Sequence, residues 1–116
     1  MALRGWSTSN YLNLSSAILS GAPITMALWC RTSITGTAQK IFCINNTGSS
    51  DATNSHRISI GNTNAIACVS ADGASSTSTT TATTITANTW FHACYVIASA
   101  TSRAAYLNGG GKGTSS

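Results

Sequence analysis

The chain has 116 residues, a formal net charge of +4 and 7% charged residues, against roughly a quarter in ordinary soluble domains, while Ser and Thr together fill 36 positions. An apolar fraction of 42% separates it from disordered tails, and the length fits one domain. With Asp51 and Asp72 as its only acids and no run among its six basic residues, it is a poor candidate for two-carboxylate hydrolysis or for neutralising a row of phosphates.

From Met1 to Trp6 there is no apolar core of a signal peptide, and no run approaches the ~20 apolar residues that a bilayer requires. Neither export nor membrane insertion is therefore expected. Segments 11–14, 24–31, 40–45, 57–61, 65–71, 77–86, 90–98 and 103–108 are rich in β-branched and aromatic residues and read as strands. Between them lie Asn45-Asn46-Thr47-Gly48, Gly61-Asn62-Thr63-Asn64, Asp72-Gly73, Ala87-Asn88 and Asn108-Gly109, where residues tolerant of positive φ let the chain reverse. Short strands at regular spacing predict an antiparallel sandwich. The threonine run 77–86 reads as a polar, solvent-facing strand, with a mucin-like stalk as the alternative. The glycine-rich stretch 109–116 has nothing apolar to bury and reads as a flexible tail or a truncated continuation, beside a domain expected to occupy 1–108.

Two strands are apolar on both faces. Ile24, Met26, Leu28 and Cys30 alternate with Ala27 and Trp29; Trp90, Cys94, Val96 and Ala98 alternate with Phe91, Ala93, Tyr95 and Ile97. A second sheet covers one face of a sandwich strand, so a loop or another chain must cover the other. Trp29, Phe91 and Tyr95 are the residues expected to meet such a partner. Cys30, Cys43, Cys68 and Cys94 all fall inside strand-like segments and read as buried free thiols, with disulfides in three possible connectivities as the alternative.

The ordered segments Asn10-Tyr11-Leu12-Asn13-Leu14, Ile24-Thr25-Met26-Ala27-Leu28-Trp29, Trp90-Phe91-His92-Ala93-Cys94 and Tyr106-Leu107-Asn108-Gly109 resemble the concanavalin A-like lectin/glucanase superfamily, in its laminin G-like branch. The resemblance spans roughly residues 6 to 113 and implies an all-β fold, an antiparallel two-sheet jelly-roll sandwich. Members of that family usually continue for several strands beyond the Asn-Gly hairpin. The resemblance thus implies an incomplete sandwich, either a fragment or a chain completed by a neighbouring subunit. It also assigns His92 to a structural Trp-x-His strand, and the lack of glutamate departs from the glycosidase branch.

Candidate sites follow from residue types. An exposed aromatic with amide neighbours suits sugar binding, which points to Trp6, Tyr11 and Asn10. Asp51 and Asp72 are potential oxygen ligands for calcium, a weak set, and the plainer reading is two turn aspartates bonding their own backbone. The cysteine and histidine spacings form no zinc motif, and His92 with Cys94 has no acid nearby in sequence to orient the imidazole, so neither a cofactor nor a catalytic residue is expected. Gly109 to Thr114 lacks the Lys-Ser/Thr ending of a phosphate loop. The sequons at Asn13 and Asn45 matter only after secretion.

Taken together, these features predict a non-enzymatic structural or adhesive β-sandwich on a bacteriophage virion surface, as capsid decoration or part of a tail or fibre. Its partners are expected to be other virion or self subunits in an oligomer, without nucleic acid or membrane. The alternative is a carbohydrate-binding lectin module of a larger extracellular protein, with glycans as partners.

Overall fold

A computed structural model describes residues 21–45, 55–72 and 75–116, the side chain of residue 72 excepted. Among them there are eight strands and no helix: β1 (Ile24–Cys30), β2 (Gln39–Asn45), β3 (Ser55–Ile60), β4 (Ala65–Asp72), β5 (Ser75–Thr84), β6 (Phe91–Ser99), β7 (Ser102–Leu107) and β8 (Gly110–Ser115). All pairings are antiparallel. They make one sheet in the order β1-β6-β7-β8 and another in the order β2-β3-β4-β5. This is the all-β two-sheet sandwich that the strand pattern and the resemblance led us to expect.

Period-two alternation decides what each strand contributes to the core. Ile24 and Met26 of β1, Phe91, Ala93, Tyr95 and Ile97 of β6, and Ala105 and Leu107 of β7 project inward from the first sheet. They meet Ile58 and Ile60 of β3 and Ile66 and Cys68 of β4. Each large aliphatic or aromatic side chain buried there contributes roughly 1.5–3 kcal/mol.

The threonine strand is only half solvent-facing. Thr79 and Thr81 of β5 are buried, and Thr81 has a specific task. The β4–β5 register shifts between Ala65 and Ala67, which leaves the Ile66 amide without a ladder partner. Thr81 Oγ1 accepts that N–H at 3.0 Å and donates to the Thr83 carbonyl at 2.8 Å.

The stretch 109–116, for which a flexible tail was one of two readings, contains β8. A strand needs a backbone ladder before it needs apolar side chains, and β8 pairs with β7 through Arg103↔Ser115, Ala104↔Thr114 and Ala105↔Gly113. Its inward positions lie against β5. A Cβ at Gly113 would collide with the Thr80 carbonyl, and one at Gly111 with the Thr83 side chain. Thr79 and Ser115 share a hydroxyl–hydroxyl hydrogen bond across the same seam. Glycine at alternate positions lets the two backbones approach and closes this side of the sandwich.

Candidate functional site

The inward set of β1 and β6 leaves Ala27 and Trp29 of β1, and His92, Cys94 and Val96 of β6, on the outer surface of the first sheet. Register places Trp29 beside His92 and Ala27 beside Cys94, and Cys94 also pairs with Tyr106 of β7. The Trp29 and His92 rings lie 5.3 Å apart, tilted by 53°. Trp29 is 67% exposed and Trp90 62% exposed. With His92 and Asn108 they line an open groove at the end of the sheet where β1 finishes and β6 begins. Lys112 holds its ammonium 5.9 Å from the centre of the Tyr106 ring, a cation–π contact on the same sheet.

Hydrogen bonds between the segments that flank them hold the two tryptophans beside each other. Two residues after Trp29, Arg31 Nε donates to the Asn88 carbonyl at 3.0 Å; two residues before Trp90, the Asn88 N–H donates to the Thr32 carbonyl at 2.7 Å. Asn88 has φ of 59°, a left-handed conformation that Asn tolerates better than most residues. On the other wall the Asn108 N–H donates to the His92 carbonyl at 2.8 Å, and the His92 N–H donates to Asn108 Oδ1 at 2.9 Å. The groove is thus made of side chains whose backbones are clamped from both sides. An amide next to indole faces offers one hydrogen-bonding group amid apolar area, suited to a sugar face or to a partner's apolar side chains.

Not every residue expected at a site is near this groove. Trp29, one of the residues expected to meet a partner, is exposed. Phe91 and Tyr95 are corrected: both are core residues, 2% and 0% exposed, because the odd-numbered face of β6 is the one the second sheet covers. The Tyr95 hydroxyl is bonded to Ser70 Oγ at 2.8 Å. Burial pushes its pKa up from the ordinary 10.0, opposed by the Ser70 bond and the Arg103 charge. Trp6, Asn10, Tyr11 and Asp51 lie outside the described residues. Asp72 ends β4 in register with Ser75. Trp90, His92 and Asn108 come together with Trp29 only through the fold, although the Trp-x-His strand and the Asn-Gly turn were visible signals for all three.

The thiols are shifted away from nucleophilic activation. All four cysteines are thiols outside any disulfide, and burial raises the pKa of each, that of Cys68 to about 12 with Cys94 adding to the shift. A nucleophilic thiol needs the opposite shift. Cys43 is exposed rather than buried, because it lies on the outer side of β2. Among the described residues no three His, Cys, Asp or Glu side chains converge on a metal position, and no helix is long and apolar enough to cross a membrane.

The family model described as the concanavalin A-like lectin/glucanases superfamily, of laminin G type, matches residues 6–116. No curated protein and no solved structure matches the chain.

Proposed function

The chain belongs to the concanavalin A-like lectin/glucanase superfamily, in a laminin G-like family, and from that premise we propose that it is a non-enzymatic adhesive module docking through the outer face of the β1-β6-β7-β8 sheet. Its place of work in this reading is a bacteriophage virion surface, as capsid decoration or a tail or fibre component. One observation carries the docking face: two tryptophans more than 60% exposed on clamped backbone, where a sandwich normally presents polar side chains to water. Tryptophan is also the residue type most enriched among energetically dominant interface residues.

The virion setting draws support from two further features. Four thiols outside any disulfide suit a protein that folds in a reducing compartment, where phage particles assemble. A surface rich in Ser and Thr with few charges suits neutral packing against other subunits.

A lectin role is the second reading, favoured by Asn108 standing among Trp29, Trp90 and His92. To separate the two, the chain is applied to a glycan array and to purified tailed-phage particles. Binding to a capsid or tail protein alone is the expected result. Saturable binding to a defined glycan, with none to particles, overturns the virion reading in favour of the lectin.

A further inference from the structure

At the opposite end of the first sheet from the tryptophan groove, the two sheets part to leave a cleft of about 230 Å³, whose lining includes Ala22, His56, Ser70, Ile97, Ala100 and Arg103. One wall carries a relay of polar groups. The Tyr95 hydroxyl shares a 2.8 Å hydrogen bond with Ser70 Oγ, and Ser70 Oγ shares one of 3.0 Å with His56 Nδ1. The opposite wall carries Arg103, at the start of β7 in register with Ile97. Its Nε is buried and has no hydrogen-bond partner.

A guanidinium stays charged at any pH that proteins experience, and a buried N–H on it without an acceptor is costly. The natural complement of a guanidinium at the edge of such a cleft is an anion. Several features narrow its chemistry. The guanidinium fork matches the two oxygens of a carboxylate. A single arginine faces the cleft among the described residues, which balances one negative charge rather than a phosphate dianion. Ala22, Ile97 and Ala100 supply apolar surface for the rest of the molecule. The volume is below the ~300–1,000 Å³ of pockets for drug-sized ligands, so the occupant is small.

We propose that this cleft binds a small organic acid through one carboxylate on Arg103, with a single uronic acid as the upper size. The site is separate from the tryptophan face, and its existence does not depend on the docking role proposed above.

The test is an NMR titration of the whole chain, following the Arg103 Nε–Hε resonance with acetate and with glucuronate, and with glucose and sulfate as controls. The expected result is a saturable millimolar shift with both carboxylates and none with glucose. R103Q abolishes binding, and R103K, which keeps the charge but loses the fork, weakens it at least tenfold, each with the amide spectrum of a folded chain. W29A leaves the titration unchanged. No saturable shift, an equal shift with glucose, or equal binding of sulfate overturns the proposal. So does a wild-type chain that binds nothing while D51N or D72N gains binding, since an aspartate of the chain itself would then occupy Arg103.

Discussion

On the inner face of β6, Phe91, Ala93, Tyr95 and Ile97 are closed off by Ile58, Ile60, Ile66 and Cys68 of the second sheet. Across its outer face, His92, Cys94 and Val96 lie beside Trp29 and Ala27 of β1, and no strand of the described chain covers them. Both faces are apolar, so hydrophobic patterning alone does not say which is core. What differs is the satisfaction of neighbours: the inner side chains meet other apolar side chains, while the outer tryptophans, next to segments tied by the Arg31–Asn88 and His92–Asn108 hydrogen bonds, are turned to water. Apolar surface that the fold organises but does not bury is available for binding.

The sharpest break of this comparison is to remove one aromatic from each face. Phe91→Ala deletes a fully buried ring and is expected to cost about 3–5 kcal/mol, read as a lowered urea midpoint. Trp29→Ala, one position along in register on the outer face, is expected to stay within about 0.5 kcal/mol of wild type. Equal losses would mean that the outer face is also structural.

The core side is also expected to fail at high pH. Burial holds the Cys68 thiol at about 12 against an ordinary 9.0. Between those values the unfolded chain has released the proton that the folded chain keeps, so stability falls as pH rises from 9 to 12 and is unaffected below 9. The full interval corresponds to about 4 kcal/mol. Denaturation midpoints followed from pH 8 to 11 should drop in the wild type and drop less steeply in Cys68→Ala, where the other raised thiols and Tyr95 keep a residual slope.

A smaller effect is expected at the seam between β5 and β8. Gly113→Val forces a side chain toward the Thr80 carbonyl and should cost about 1–3 kcal/mol, with amide exchange rising in β8 before β6. A variant as stable as wild type would show that β8 does not close the sandwich.

Seven of the eight strands were legible because β-branched and aromatic runs ended at Asn and Gly turns: 24–31 became Ile24–Cys30 and 103–108 became Ser102–Leu107. The eighth was not, since Gly110 to Ser115 has no apolar residue; its signal was alternating glycine, which marks close backbone approach rather than mobility. Trp29, Phe91 and Tyr95 were grouped alike as partner-facing, and Phe91 and Tyr95 fell on the wrong side because parity within a strand does not reveal which face the other sheet occupies. The carboxylate cleft had no local trace. His56, Ser70 and Arg103 come from β3, β4 and β7, and only the packing of two sheets brings them together.

Whether the outer tryptophan face is the docking surface is read from binding of the wild-type chain and of the Trp29→Ala/Trp90→Ala double variant to phage particles and to a glycan array, alongside their melting temperatures. The variant is expected to lose at least tenfold in affinity for whatever the wild type binds while melting within a few degrees of it. Undiminished binding by a folded double variant would place docking elsewhere on the molecule.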